Sequence, residues 1–388
     1  MITTVKTDTS EFFHQLVEET GCAGYLFTPT PLVIGRDLFQ RLNTAVPALL
    51  GLLAQPDYSR HCMTRGNWLL PVRAMKPTDF TGCADFLLTG TGAKLIEMNI
   101  NLPGKVGLMQ LLGETSRTHL GDPQADWANA DFNQQLIATI REAIPAELPI
   151  AIIVSHLPAS EKHQPHYRYF SEQLNKAGLD TTVVQTSELI VTPTGCESNG
   201  KAFGAFINLV IPFVWEGNPG EFEQLTRLWS NHPEVFFPNP TGGLFGTKDL
   251  LTYLNGKRSD QSAGHWSDFV LRAHMLNEFE STEALLEKFS LSEIVLKPLK
   301  DYDTKGVYVQ PYRETLDPVF RYRKHDYVVQ EFTDSLAIPF QLTSEETAIT
   351  HSVIFRVFFA SAKPIGYQGY FIHNRFNGEY YTAPVMVE

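Results

Sequence analysis

Cysteine is scarce. Four cysteines stand in 388 residues, at positions 22, 62, 83 and 196, with no spacing of a metal knuckle or a disulfide framework. A reducing cytoplasm is therefore the expected home. No apolar run reaches the roughly 18–20 residues that span a bilayer. No charged-then-apolar N-terminal segment reads as a signal peptide, so no membrane partner is expected. Positive charge is also in short supply, 31 Lys and Arg against 43 Asp and Glu, for a net charge of −12. Such a balance argues against general affinity for nucleic acid or anionic lipid, and no helical or zinc-finger element for reading DNA is present. No GxGxxG follows a strand, which argues against a dinucleotide fold. No serine or cysteine sits in a nucleophile elbow, and His156, His163, His166, His351 and His373 are scattered without ligand spacing. Repeats, low-complexity tracts and heptads are missing as well. What remains is an enzyme or binder of small molecules, with a twofold dimer as the default assembly.

The composition, 43% hydrophobic and 19% charged, is that of a globular protein long enough for two or three domains. Three parts are expected. Residues 1–147 read as a mainly helical N-terminal part plus a hairpin. Ser10 caps a first helix, and a second spans about 37–55 with a kink at Pro47. Helices also follow at about 105–112 and 132–143. From Pro149 the texture changes. The apolar runs Ile150 to Val154 and Phe206 to Val214 read as covered strands. With Thr181 to Val184 and helices at 166–178 and 221–231 they predict a parallel α/β unit over 148–240. Residues 241–388 carry a helix with Lys248, then strands at 293–298, 307–310 and 327–332, and two long β segments at 351–360 and 365–374.

The most informative stretch is 94–104. Lys94 to Asn99 alternates polar with apolar, a strand pattern that puts Glu97, Asn99 and Asn101 on one face and Ile96, Met98 and Ile100 on the other. Pro103-Gly104 ends it. Asp85 lies on a preceding strand, across a Thr-Gly-Thr-Gly turn at 89–92, so a hairpin brings Asp85 to Glu97. The pattern alone fits an edge strand with a solvated polar face. It also fits an oxygen patch for a hard cation such as Mg²⁺, which takes one or two carboxylates and completes its shell with water and phosphate.

Other residues carry chemistry only in company. Lys297 ends an apolar strand before a loop with a single glycine, Gly306, and a lysine there can neutralise phosphate oxygens. Lys248, after Pro-Thr-Gly-Gly, is a second such candidate. Each also reads as an ordinary strand-end or surface lysine. Gln330-Glu331-Phe332 could offer backbone groups to an adenine edge. Arg356, inside an apolar strand, needs an anionic partner, because an unpaired buried charge is costly. That partner could be a structural carboxylate or a bound ligand. Arg65 and Arg73 lie shortly before the hairpin.

Taken together, Lys248, Lys297-Pro298, Gln330-Glu331-Phe332 and Arg356, with Asp85 and Glu97-Met-Asn99 moved to the front, resemble the ATP-grasp superfamily in its circularly permuted branch, which includes glutathionylspermidine synthetases. The likeness covers about residues 80–376. It implies an α/β (α+β), ATP-grasp-like, circularly permuted fold, with ATP-binding lobes in 241–388. Asp85, Glu97 and Asn99 would hold Mg²⁺. Lys248 and Lys297 would meet the phosphates, and Gln330, Glu331 and Phe332 the adenine. Lys305 and Gly306 would lie in a loop closing over the triphosphate. Arg356 would clamp phosphate or substrate carboxylate, with Arg375 a weaker candidate. The implied reaction is ATP-dependent amide formation between a small-molecule carboxylate and an amine, through an acyl phosphate. A phosphotransferase and a catalytically inactive nucleotide-binding module are the alternatives on the same fold. One departure stands out. Glutathionylspermidine synthetases have an arginine two residues before the metal aspartate, where this chain has Cys83, so either Arg65 or Arg73 substitutes or the substrate and geometry differ.

Overall fold

The computed structural model describes residues 2–4, 16, 18, 26–28, 30–64, 68–102, 106–120, 126–129, 131–145, 147–258, 265–300, 305–340, 349–372 and 380–388. Ser10 and most of its expected helix, Arg65, Pro103-Gly104 and Arg375 lie outside them.

A six-stranded sheet joins the hairpin at 82–99 to strands of the C-terminal part. Its order is Tyr380–Ala383, Lys363–Ile372, Ile349–Ala360, Gly82–Thr89, Gly92–Asn99, with Ala337–Phe340 also on the Ile349–Ala360 strand. Every pairing is antiparallel. The hairpin expected around the 89–92 turn therefore exists, and it is fused edge-on to C-terminal strands more than 250 residues away. One face packs Phe86, Leu95, Phe355, Val357 and Phe371 against helix Arg36–Leu53 and helix Leu250–Lys257. Fully burying each such side chain contributes about 1.5–3 kcal/mol.

The parallel α/β unit is also present. Phe236–Phe237, Ala205–Asn208, Ile150–Val154 and Thr181–Gln185 form a four-stranded parallel sheet. Ile150, Ile152 and Val154 enter one core while Ala151 and Ile153 enter another. Both faces are covered, which is why this strand reads as a continuous apolar run. A third sheet, antiparallel, orders Ala273–Met275, Tyr327–Glu331, Ile294–Pro298 and Tyr308–Val309. Its core holds Leu296, Val329, Leu316 and Phe320.

Several local expectations change. The run from Phe206 to Val214 is not one strand: the strand ends at Asn208, and Pro212 opens helix Pro212–Gly217. A proline fits the first helical turn, where its missing N–H is no loss. The helix expected at 105–112 is a short 3₁₀ turn, Val106–Leu108, followed by helix Met109–Leu120. Leu32–Ile34 and Ile2–Thr4 pair with each other, and Leu32–Ile34 also pairs with Val385–Val387, strands that a helical reading of the N-terminus misses. Among the described residues no helix is long and apolar enough to cross a membrane.

Candidate functional site

Strand register builds the site. Asp85 pairs with Glu97 on one side and with Arg356 on the other, and Arg356 pairs with Gln368. Four polar side chains thus form a row across four neighbouring strands. Directly paired residues share a sheet face, so the row is a consequence of the backbone pairing.

At its centre Arg356 closes a fork on Asp85, Nε to Oδ1 at 2.6 Å and Nη2 to Oδ2 at 2.7 Å. The guanidinium lies over the Tyr370 ring, 4.8 Å from its centroid. Burial works against the charge on Arg356, but Asp85 outweighs it and keeps the guanidinium protonated above its ordinary range.

The outer carboxylate is held as firmly. Lys248 Nζ lies 3.0 Å from Glu97 Oε2, with Lys248 5% and Glu97 28% exposed at the side chain. Asn99 Nδ2 donates to Glu97 Oε1 at 2.6 Å. Burial pushes the Glu97 carboxyl up, yet Lys248, Asn99 and Lys297 together hold it below the ordinary carboxylate range. Lys297 Nζ donates to the Ile96 carbonyl at 2.7 Å. That carbonyl sits where the ladder slips between Asp85 and Phe86: Glu97 opposes Asp85, and Leu95 opposes Phe86. The bulge at Ile96 is a correction to strict alternation, because Ile96 is half-exposed while Met98 and Ile100 are buried. An extra residue on one strand is what a β-bulge inserts. Burial, with the nearby Lys248 cation, pulls the Lys297 ammonium down to about 8 against the pull of Glu97 and Asp85.

Lys248 is not on a helix, as the sequence suggested. It lies in the turn between helix Gly242–Phe245 and helix Leu250–Lys257, and its N–H donates to the Leu299 carbonyl at 3.1 Å. The next residue, Asp249, is buried and meets His61 Nε2 at 2.8 Å. The Thr252 hydroxyl also donates to Asp249 Oδ1 at 2.8 Å.

The structure brings Asp85, Glu97, Asn99, Lys248, Lys297 and Arg356 together. It does not bring Arg73. The Arg73 guanidinium donates to the Ser230 carbonyl at 3.3 Å and lines a separate cavity of about 230 Å³ with Lys76, Asp79 and Glu142. In this arrangement the Arg73 guanidinium makes no hydrogen bond or ion pair to the polar row among the described residues. Cys83 pairs with Asn99, whose amide approaches its sulfur at 4.0 Å. Burial pushes the Cys83 thiol up to about 12, so it stays neutral.

The adenine-edge residues are committed to the protein. Gln330 is buried and its side-chain amide donates to the Leu95 carbonyl at 3.3 Å. The Glu331 carboxylate pairs with Arg272 at 2.9 Å. The N–H groups of Glu331 and Phe332 donate to the Arg272 and Glu293 carbonyls. The N–H groups that would donate to an adenine edge are thus already used within the protein. Lys305 and Gly306 follow residues 301–304, which lie outside the described set. Gly306 has φ +68°, and an added Cβ there would lie 3.0 Å from the Tyr327 hydroxyl, so glycine suits the position.

Neither a protein-family model nor a curated protein sequence matches the chain. Solved structures do. A glutathione synthetase-like effector from Globodera pallida, in its apo form, superposes with a TM-score of 0.60 at 13% identity, covering 97% of this chain and 96% of that one. A provisionally named gamma-glutamylcysteine synthetase from Methylobacillus flagellatus KT gives 0.50 at 10% identity, covering 97% and 86%. The chain has a glutathione synthetase-like α/β fold. At such identities the likeness is one of fold.

Gln368 and its partner Tyr370 escaped sequence reasoning. Gln368 is fully buried, and its Oε1 accepts from the Tyr370 hydroxyl at 2.8 Å. Its Nε2 has no hydrogen-bond partner among the described residues. The signal was available, since Gln368 is a polar residue inside an apolar strand, as Arg356 is. For a divalent cation, no three His, Cys, Asp or Glu side chains gather among the described residues. The candidate oxygens are two facing carboxylates and one amide. That set fits a hard cation whose remaining ligands are phosphate and water, and both carboxylates already rest against protein cations.

Proposed function

We propose that this protein is an ATP-dependent ligase that joins a small-molecule carboxylate to an amine, of the circularly permuted ATP-grasp kind that resembles glutathionylspermidine synthetases. The observation that carries the reading is the convergence of Lys248, Lys297 and Arg356 on Asp85 and Glu97. Three cations against two carboxylates suit a triphosphate whose charge must be neutralised during transfer. The names of the two structural relatives support ligase chemistry in general terms.

In this reading Asp85, Glu97 and Asn99 would hold Mg²⁺, which would supply charge neutralisation at the phosphates. Lys248 and Lys297 neutralise phosphate oxygens from the protein side. Arg356, fixed by Asp85 and Tyr370, orients the substrate carboxylate. A carboxylate oxygen attacks the γ-phosphorus, the bond to the bridging oxygen breaks, and ADP leaves. The amine nitrogen then attacks the acyl carbon. The carbon–oxygen bond to phosphate breaks, the nitrogen loses a proton to solvent, and an amide and free phosphate result. No protein nucleophile is required, in keeping with the lack of one in the sequence.

A second reading, a nucleotide-binding module without turnover, is favoured by Cys83, a neutral buried thiol where glutathionylspermidine synthetases have a charged arginine. Phosphate release from Mg²⁺-ATP, followed with pooled carboxylic acids and amines, separates the two. The ligase reading predicts phosphate release that needs both pools and an amide product by mass spectrometry. A phosphorylated acid that accumulates without the amine would indicate a phosphotransferase, and no release with any pool would leave the binding module.

A further inference from the structure

The far end of the same hairpin carries a second concentration of positive charge. Its turn, with Thr89 and Thr91, borders a cavity of about 400 Å³ that Arg41, Lys94, Arg258 and Asp268 also line. Three cations therefore face one carboxylate, in a chain whose net charge is −12. Asp268 does not cancel them. Its carboxylate is exposed and reaches only Arg41 among these cations, at 3.4 Å, and exposed pairs of that length contribute little. Lys94 Nζ rests on the Asp268 backbone carbonyl at 2.5 Å, a neutral acceptor that leaves its charge uncompensated. Arg258 ends helix Leu250–Lys257 as its C-cap; its guanidinium lies near enough to Glu331 to help hold that carboxyl down, but Glu331 is paired with Arg272 and does not line the cavity.

Two of these cations are held in place. The Arg41 guanidinium lies over Phe269, 5.4 Å from the ring centroid, and Lys94 is tied by its carbonyl contact. Two threonine hydroxyls, 3.5 Å apart, add donors at the rim. Like-signed charges on the wall of a concave site reinforce one another and draw counter-ions. Arginine forks match the oxygens of a phosphoryl group. The cavity is distinct from the polar row, because Asp85 and Thr89 stand four residues apart on one strand, roughly 13 Å.

We propose that this cavity is a second anion site that takes a phosphoryl group of a small molecule. Arg258 supplies an exposed charge at the rim, with Arg41 and Lys94 as fixed partners. It stands independently of the ligase reading, since neither the residues nor the argument are shared with the polar row.

Titration calorimetry with inorganic phosphate and with pyrophosphate, in a buffer free of other multivalent anions, tests it. Four proteins are compared: wild type, Arg258→Ser, the double variant Arg258→Ser/Lys94→Gln, and Lys297→Met. Arg258 is exposed, so the single variant is expected to fold even where the double variant does not. The proposal expects saturable binding in wild type and in Lys297→Met, at least tenfold weaker in Arg258→Ser and weaker again in the double variant. It is overturned by an absence of saturable binding in wild type, by equal affinity in wild type and Arg258→Ser, or by loss of binding in Lys297→Met alone. That last result would place the anion at the polar row and support the nucleotide reading instead.

Discussion

Arg356 and Asp85 face each other in register on adjacent antiparallel strands and close two parallel hydrogen bonds, at 2.6 and 2.7 Å. The side chains are 20% and 9% exposed, so the pair is largely removed from water. Removing one partner from such a pair leaves a buried charge uncompensated, at a cost of about 3–5 kcal/mol. Arg356→Met is expected to lose stability on that scale in urea unfolding. The double variant Arg356→Met/Asp85→Leu is expected to recover most of it. If the double variant is as unstable as the single, the pair is not the source of the cost.

Lys297 gives a pH dependence with a definite sign. Its folded value is about 8, below its ordinary 10.5, because of burial. Between these two values the unfolded chain binds more protons than the folded one, so stability from this group rises with pH across about 8 to 10.5. Below 8 the cost of burying the charge is fully present. Wild type should therefore gain stability relative to Lys297→Met between pH 7 and pH 9.5, measured by urea unfolding. Affinity for nucleotide should run the opposite way and weaken as the ammonium loses its proton. A difference between the two proteins that stays flat with pH would contradict this account of Lys297.

Both candidate metal carboxylates are neutralised by the protein itself, Glu97 by Lys248 and Asp85 by Arg356. Mg²⁺ alone must displace an ammonium or a guanidinium to reach them. A triphosphate offers those cations other partners. The expected outcome is no thermal shift of wild type with Mg²⁺ alone and a clear shift with Mg²⁺ and ATP together. Lys248→Met, which releases Glu97, is expected to respond to Mg²⁺ alone. A shift of wild type by Mg²⁺ alone would show that the ion pairs do not guard the carboxylates.

The legible parts of the site were those whose spacing along one strand decides their position. Asp85 and Glu97 are brought together by a short hairpin, and alternation with a Gly-containing turn announces a hairpin locally. The arginine at 356 was legible as a charge needing a partner. That its partner is Asp85 was not, because the pairing joins strands 271 residues apart. Alternation also failed at Ile96, where a bulge set by the partner strand, rather than by any local residue type, exposes the carbonyl that Lys297 uses. Lys248 was placed on a helix because Pro-Thr-Gly-Gly precedes a helix. That helix is four residues long and ends before Lys248. The nearness of Arg73 to the hairpin in sequence says nothing about which side of the sheet its connecting segment runs along.

Gln368 offers a test of the polar row's inner end. Its Nε2 is buried without a partner among the described residues, and an unsatisfied buried donor costs about 1–3 kcal/mol. Its Oε1 bond to the Tyr370 hydroxyl returns about 1 kcal/mol. Gln368→Met, similar in volume and without the orphan donor, is expected to leave stability unchanged or raise it by about 1 kcal/mol in denaturant melts. Clear destabilisation would mean that the amide is satisfied in solution.

The central claim is that the Glu97 end of this row binds nucleotide with metal. Thermal unfolding of wild type and Glu97→Gln, each with and without Mg²⁺-ATP, tests it most directly. A ligand that binds only the folded state, at 100 times its Kd, stabilises by about 2.7 kcal/mol. The account predicts a rise in Tm with Mg²⁺-ATP for wild type, and its loss in Glu97→Gln, where the carboxylate that gathers Lys248 and Asn99 is gone. No rise in either protein, or an equal rise in both, would contradict it and return Glu97 to the role of a structural ion-pair residue.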